Sequence, residues 1–181
     1  MSHKAVIMDQ QSMQRAISRI AQEIIENNNG VENIAIIGIH TRGVPFAKRL
    51  INEIQNIEGK SPEFGNLDIT FYRDDLSLLS EHPVINGSYV DFLIEGKTVI
   101  LVDDVLYTGR TVRAAIEALF ELGRPKKVQL AVMINRGHRE LPIQPDYVGR
   151  NVPTSRNEHI KVNFTETDEE DIVVISEREV K

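Results

Sequence analysis

The chain has 181 residues, of which 41% are hydrophobic and 27% charged, values typical of a single soluble globular domain with a full hydrophobic core. It has no cysteine, which excludes disulfides and thiolate metal sites, and its formal net charge of −6 argues against non-specific nucleic-acid binding while leaving a local basic patch possible. No apolar run reaches the roughly 18 residues that span a bilayer, and the amino terminus lacks the apolar segment of a signal peptide. We therefore expect a cytoplasmic protein.

The first half of the chain alternates between helical and extended patterns. Asp9 can cap a helix that runs to about residue 28, with apolar side chains recurring at helical spacing along one face. The apolar run over residues 33–39 predicts a buried strand, and a helix is expected from about 44 to 55. Residues 67–73 alternate between apolar and polar side chains, which predicts another strand. Residues 74–96 show no stable period and are typical of a long loop.

The second half continues the alternation and ends in turn-rich sequence. We expect a strand over residues 98–102, a helix over 111–122 stopped by Gly123 and Pro125, and a strand over 127–134. This order predicts an α/β fold with a mainly parallel sheet flanked by helices, whose ligands bind at the carboxyl ends of the strands. The segment after Asn135 could form a small cap, and the acidic segment 165–172 is expected on the surface or in a final edge strand.

The most informative stretch is VILVDDVLYTGRT, residues 99–111. Two adjacent carboxylates, Asp103 and Asp104, follow an apolar strand, and a short loop with Gly109 leads into a helix whose first amides can hold an anion. Carboxylates followed by an anion site suit a sugar that carries hydroxyls, a phosphate and an associated Mg²⁺. The spacing is neither that of a Walker A loop nor that of a dinucleotide-binding fingerprint.

This stretch resembles the phosphoribosyl-pyrophosphate (PRPP) motif of the type I phosphoribosyltransferases. GIHTRG (38–43) resembles the pyrophosphate loop of that family, YRDD (72–75) the start of its flexible lid, and RGHRELPIQPDYVGRNVPTS (136–155) its hood. The resemblance covers nearly the whole chain as one domain, with a lid at about 73–96 and a hood at about 136–156. It is closest to the branch whose members are both pyrimidine operon attenuators and uracil phosphoribosyltransferases.

The resemblance implies that uracil and PRPP react to give UMP and pyrophosphate, with Mg²⁺ bound together with PRPP near Asp103 and Asp104. It assigns catalytic roles to both aspartates and to Arg73 at the start of the lid. It assigns the binding of pyrophosphate to Thr41 and Arg42. It assigns the binding of uracil to Val148, Arg136 and Tyr147, although core packing is an equal alternative role for Tyr147. The residues that the resemblance assigns to the 5′-phosphate are Thr108, Gly109, Arg110 and Thr111.

The same branch implies binding to the leader mRNA of the pyrimidine operon, promoted by UMP or UTP, and a homodimer or a dimer of dimers. Arg15 and Arg19 lie four residues apart on the first predicted helix and therefore share a face. Basic side chains on such a face supply salt-dependent affinity for RNA phosphates. The full set that the resemblance implies for RNA is Arg15, Ser18, Arg19, His138, Arg139 and Arg150.

Three other functions stay open on the sequence. Tyr107 replaces the carboxylate that purine-type relatives place in the loop, which disfavours a purine phosphoribosyltransferase. His40 stands where a lysine is expected, which leaves open an RNA regulator with negligible catalysis. Asn27 and Gln144 are neutral at positions where the pattern is basic, which leaves open a uracil salvage enzyme without RNA regulation.

Overall fold

A computed structural model describes residues 3–70 and 87–177 of the chain. The strands are β1 His3–Met8, β2 Ile34–Ile39, β3 Glu63–Leu67, β4 Thr98–Leu106, β5 Lys127–Asn135, β6 Tyr147–Asn151, β7 Glu158–Asn163 and β8 Ile172–Glu177. The helices are α1 Gln10–Asn27, α2 Gly43–Glu58 and α3 Arg110–Leu122. None of the helices in the described ranges is long and apolar enough to cross a membrane.

The main sheet has five parallel strands in the order β3-β2-β4-β5-β6. Its three central strands, β2, β4 and β5, contain continuous buried apolar runs because both of their faces are covered, as is typical of parallel sheets. Ile100 and Val102 of β4 belong to the core cluster that includes α1 and α2, whereas Val99 and Leu101 belong to the cluster that includes α3. The predicted α/β fold with a parallel sheet flanked by helices is confirmed.

A second, antiparallel sheet of three strands, in the order β1-β8-β7, joins the two ends of the chain. The sequence pattern predicts neither β1 nor β7. The strand expected near the end of the chain, β8, is the central strand of this sheet and not an edge strand. The segment 136–156, for which the sequence suggests a small cap, contributes β6 to the main sheet. The bounds of the hood and the lid stay predictions.

Helix α1 begins where the sequence predicts. The backbone N–H of Ser12 donates to Oδ1 of Asp9 at 2.8 Å, and Asn28 ends the helix. Met13, Ile17 and Ile20 are buried on the face that meets the core, as their spacing predicts.

Two strand predictions need correction. The strand expected over residues 67–73 is wrong in its described part: the strand is β3, which ends at Leu67, and residues 68–70 are not extended. Its position is set by parallel pairing with β2, from Ala35 opposite Glu63 to Ile39 opposite Leu67, a long-range constraint that local alternation does not contain. The strand expected over 98–102 runs on to Leu106, because pairing with β5 continues past the end of β2.

Candidate active site and RNA interface

The two aspartates lie inside β4 and not in a loop after it. Pairing of β4 with β2 ends at Val102, so Asp103 and Asp104 emerge beside the loop between β2 and α2 while β5 still pairs with their strand. Successive strand residues point to opposite faces of the sheet, so Asp103 lies on the same face as Leu101 and Asp104 on the same face as Val102. The two carboxyl groups nevertheless stay close enough to interact with each other through a side-chain hydrogen bond.

Burial changes the acidity of both carboxyl groups. Asp103 is only 6% exposed, and burial together with the negative charge of Asp104 raises its pKa well above the ordinary range. Burial also raises the pKa of Asp104, but hydrogen bonds and the positive charge of Arg42 oppose the rise. Asp103 accepts the backbone N–H of Asp104 at 2.9 Å, and Asp104 accepts that of Val105 at 2.8 Å. The carboxylates are held in place and their charge is poorly compensated, which suits a site that receives a cation or a polyol.

The loop between β2 and α2 lies directly against β4. A Cβ atom at Gly43 would lie 2.2 Å from the carbonyl oxygen of Val102, so only glycine allows this approach. The loop contains a cis peptide bond between His40 and Thr41, and Nε2 of His40 lies 2.8 Å from Oδ1 of Asn66. Arg42 follows at the start of α2 and contributes positive charge next to Asp104. Arg42, one of the two predicted pyrophosphate residues, is thus brought next to Asp104, and Thr41 precedes it in the same loop.

The loop between β4 and α3 has the form of an anion site. Gly109 precedes the helix with a φ of 94°, a left-handed conformation that favours glycine. Gly109 offers no capping side chain, and the backbone N–H of Arg110 donates to Oγ1 of Thr108 at 3.3 Å. The amides of Arg110 and Thr111 therefore open the first turn at the positive end of the helix dipole. The guanidinium of Arg110 is paired with Glu140 at 2.9 Å, so the backbone of this loop is the better candidate for the 5′-phosphate.

A cavity of about 300 Å³ lies beside these two loops. Arg42, Asp104, Tyr107 and Arg136 line one part of it, and His159–Lys161 of β7 line the other. Among the described residues, strand β7 is an edge strand of the small sheet, so its outer side faces the cavity and not another strand. No motif in the sequence predicts that this segment lines the cavity. Its only signal was apolar alternation in Ile160 and Val162, which is too short to identify.

Arg136 and Tyr107 form one wall of this cavity. The guanidinium of Arg136 lies 3.9 Å from the ring centroid of Tyr107, a cation–π distance. It also donates to the carbonyl oxygens of Ser155 (3.3 Å) and Glu158 (2.9 Å), which fixes the turn before β7. Arg136 is therefore part of the cavity, as the uracil prediction requires.

The other two residues predicted for uracil lie elsewhere. Tyr147 is 1% exposed in the core cluster that includes α1, and its hydroxyl bonds Gln129 at 3.1 Å and Asn28 at 3.1 Å. Core packing, the alternative role of Tyr147, describes this environment. Val148 packs against the opposite core cluster, and its carbonyl oxygen accepts a hydrogen bond from Arg19. Neither residue lines the cavity beside Asp104, because β6 places them further along the sheet.

Three of the predicted RNA residues meet on one surface, which we call the arginine face: Arg15 and Arg19 of α1 and Arg150 of β6. They border an open depression of about 450 Å³. Arg19 donates to the carbonyl oxygens of Val148 (3.1 Å) and Gly149 (2.7 Å), which joins α1 to β6. All three arginines are exposed, so the face combines a fixed backbone with accessible positive charge.

The remaining predicted RNA residues do not border this depression, and they too have internal partners, as Arg19 and Arg150 do. Ser18 donates to Glu53 at 2.9 Å. His138 lies 2.5 Å from the carbonyl oxygen of Thr154 through Nε2. The guanidinium of Arg139 donates to the backbone of Tyr107, to the carbonyl oxygen of Ile143 (2.8 Å) and to Oδ1 of Asn135 (2.6 Å). These hydrogen bonds connect Arg139 to the loop between β4 and α3 (residues 107–109, here called the phosphate loop after its predicted role) and not to the arginine face.

Arg73, the third residue expected in catalysis, lies outside the described residues, as does most of the expected lid. The part that is described, residues 87–96, packs on the edge of the main sheet: Tyr89 forms an isolated antiparallel bridge with Asn66, and Ile94 is buried. Within the described residues, no group of three or more carboxylates and histidines could hold a metal ion by itself. Two neighbouring carboxylates suit a Mg²⁺ ion that takes its other ligands from a diphosphate and water.

Comparison with known proteins identifies the family. The family model of the phosphoribosyl transferase domain matches residues 5–168. The bifunctional protein PyrR of Acetivibrio thermocellus is 63% identical over 99% of this chain and 97% of its own, and that of Clostridioides difficile is 57% identical over 98% of this chain and 100% of its own. The chain belongs to the PyrR family of phosphoribosyltransferases. The resemblance that the motifs indicate is therefore confirmed.

Solved structures agree with this fold. A hypoxanthine-guanine phosphoribosyltransferase of Bacillus anthracis superposes with a TM-score of 0.72 at 21% identity, covering 96% of this chain and 98% of its own. A hypoxanthine phosphoribosyltransferase of Trypanosoma cruzi gives 0.73 at 18% identity, covering 98% of both chains. At such low identity the likeness concerns the fold alone. The predicted type I phosphoribosyltransferase fold of the PyrR-family chain is confirmed.

Proposed function

We propose that this chain transfers the phosphoribosyl group of PRPP to uracil, releasing pyrophosphate, and that uridine nucleotides promote its binding to the leader mRNA of the pyrimidine operon. Its membership of the PyrR family supports both activities. The observation that carries the enzymatic part is the cavity in which Arg42, Asp104, Tyr107 and Arg136 meet beside the phosphate loop. We propose the cytoplasm as its location and a homodimer or tetramer as its assembly.

PRPP offers three groups to the site: the 5′-phosphate, the ribose hydroxyls and the diphosphate. The amides of Gly109, Arg110 and Thr111 with the hydroxyl of Thr108 bind the 5′-phosphate at the amino end of α3. Asp103 and Asp104 accept hydrogen bonds from the ribose hydroxyls, and Thr41 and Arg42 bind the diphosphate. A Mg²⁺ ion bound with PRPP would be held near Asp103 and Asp104, and it would supply positive charge to the diphosphate leaving group.

Catalysis depends on charged side chains that the fold positions before the substrate binds. When the bond from C1′ to the diphosphate breaks, the ribose gains positive charge, and the half-buried carboxylate of Asp104 faces that charge in a medium that screens it less than bulk water does. Arg42 faces the negative charge that the leaving diphosphate gains. The site therefore stabilises both separating charges and needs no covalent intermediate.

The nucleobase occupies the cavity between Tyr107 and β7. Uracil offers alternating N–H and C=O groups along one edge, which match the outer backbone of the segment His159–Lys161. Arg136 forms the wall beside Tyr107. Tyr147 and Val148 lie outside the cavity, so the base contacts Arg136, Tyr107 and β7 instead. The lack of a carboxylate at Tyr107 favours a pyrimidine over a purine.

The arginine face supplies the RNA contact. Arg15, Arg19 and Arg150 are exposed on two elements that hydrogen bonds from Arg19 hold together. Such a face attracts phosphates with an affinity that falls as salt rises, while unpaired RNA bases supply the specificity. The acidic remainder of the chain limits binding to unrelated nucleic acids.

Two measurements test this function. Initial rates with PRPP, Mg²⁺ and either uracil, hypoxanthine or guanine should show turnover with uracil alone. A gel-shift titration with the leader RNA of the protein's own pyrimidine operon, at fixed salt, should show binding that UMP strengthens. Turnover with hypoxanthine would contradict the pyrimidine assignment. RNA binding no better than to a scrambled sequence would leave a uracil salvage enzyme.

A further inference from the structure

The turn between β7 and β8 is held against α2 by two arginines. We call residues 164–171, the acidic segment of this region, the acidic turn. Arg42 and Arg49 are seven residues apart, which is within about 20° of two full helical turns, so both side chains leave the same side of α2. Both reach carboxylates of the acidic turn.

Asp168 makes an unusually complete contact with Arg42. Nε of Arg42 donates to Oδ2 at 3.1 Å and Nη2 donates to Oδ1 at 2.8 Å, a bidentate pair. Oδ2 also accepts the backbone N–H of Phe164 (3.1 Å) and the hydroxyl of Thr167 (2.9 Å). The hydrogen bonds from Arg42 lower the pKa of Asp168 to about 2, so the carboxylate is charged throughout the working range of the protein.

Arg49 ties the acidic turn to α2 two helical turns away. It pairs with Glu166 at 2.6 Å and with Asp171 at 2.7 Å, and its guanidinium lies 5.1 Å from the ring centroid of Phe164. Oδ1 of Asp171 also accepts the backbone N–H of Thr165. Asp168 is thus presented from a turn whose position is fixed independently of Arg42.

We infer that Asp168 is a positioning residue for the phosphoribosyl transfer: it holds the guanidinium of Arg42 in the orientation that receives the diphosphate of PRPP. Arg42 has a long, flexible side chain, and holding it in place before the substrate arrives removes an entropic cost from binding. Arg42 lines the reaction cavity beside Asp104, so its orientation bears directly on the leaving group. The inference rests on the proposed function, because it assumes that Arg42 binds the diphosphate.

The variant Asp168→Asn tests it against a matched control. Glu166→Gln removes the same negative charge from the same turn, but Glu166 contacts Arg49 and not Arg42. We expect Asp168→Asn to raise KM for PRPP and the inhibition constant of pyrophosphate about tenfold, with little change in KM for uracil. Glu166→Gln should alter all three by less than about twofold, as expected for an exposed pair.

A double-mutant cycle separates positioning from general stability. If Asp168 acts through Arg42, the Asp168→Asn change should have no further effect on KM for PRPP in an Arg42→Met background. Additive effects would overturn the inference. So would a fall in KM for PRPP in Asp168→Asn, which would mean that Asp168 competes with the diphosphate for Arg42, or a lower melting temperature with KM unchanged, which would mean a structural role only.

Calorimetric titration with PRPP and Mg²⁺ gives a readout that does not depend on turnover. If the wild-type chain binds PRPP and Asp168→Asn binds as tightly as Glu166→Gln, this inference fails and the proposed function stands. If the wild-type chain neither binds PRPP nor turns over uracil, the proposed function fails and the inference fails with it.

Discussion

The carboxyl edge of the main sheet and the arginine face hold charge in opposite ways. At the edge, Asp103 is buried at 6% exposure beside Asp104, and neighbouring backbone N–H groups fix both carboxylates. On the arginine face, Arg15, Arg19 and Arg150 are exposed. Buried charge stabilises a transition state because little water screens it, whereas exposed charge must stay accessible to bind a phosphate backbone. The two activities therefore require different surroundings for their charged side chains.

Neutralising Asp104 should have the largest effect. In Asp104→Asn the amide keeps nearly the same shape but loses the charge that faces the ribose cation, so we expect kcat/KM for uracil and PRPP to fall by about 100-fold or more. RNA affinity without nucleotide, measured by gel shift on the same preparation, should not change. A parallel loss of RNA binding would mean that the two regions are not separate.

Removing charge from the arginine face should have a smaller effect, confined to RNA. Arg15→Gln is a cleaner test than Arg19→Gln, because Arg19 also bonds the backbone of β6. We expect the Kd for leader RNA to rise about tenfold and the slope of log K against log salt to become shallower by about 0.7 to 0.9 for each RNA phosphate that the variant no longer neutralises. An unchanged slope would show that Arg15 does not bind phosphate. Uracil turnover serves as the control.

Arg139 tests where the boundary between the two regions lies. Because its guanidinium bonds the phosphate loop at Tyr107 and β5 at Asn135, we expect Arg139→Gln to raise KM for PRPP several-fold, by loss of charge-assisted hydrogen bonds. The salt slope of RNA binding should stay as in the wild type. Arg150→Gln is the matched control and should show the reverse. If the slope of log K for RNA against log salt became shallower in Arg139→Gln, Arg139 would have to be counted among the residues that bind RNA.

The smallest expected effect concerns stability. Burial and the neighbouring Asp104 raise the pKa of Asp103, so the folded state holds this proton more tightly than the unfolded state. The stability that this proton contributes is therefore greatest below the ordinary pKa of an aspartate and declines as pH rises through the raised pKa. In thermal melts at pH 8, Asp103→Asn should melt about 2–4 °C above the wild type. The difference should shrink toward pH 4, and a gap that does not change with pH would refute the electrostatic explanation.

Local sequence was sufficient for the parts of the site that lie close together in the chain. The stretch 99–111 contains its own strand, carboxylates, glycine and helix start, so its chemistry could be inferred before the fold was known. Tyr147 and Val148 show the limit of such inference. They lie in the segment that the motif indicated, but neighbouring residues of a strand point to opposite faces, and neither face of β6 at this point lines the cavity.

The sequence alone determined the α/β class, the PRPP motif and the family, and through the family resemblance it named all three arginines of the arginine face as RNA candidates. Tertiary structure decided which distant segments complete the site. The backbone of β7 lines the cavity, Asp168 holds Arg42, and Arg150 joins Arg15 and Arg19. These partners are far apart in the chain, and only the packing of the small sheet and of β6 onto the main core brings them together. The local spacing of apolar residues shows which face of a helix or strand is buried. It does not show which other segments pack next to that helix or strand, and a binding site depends on those neighbours.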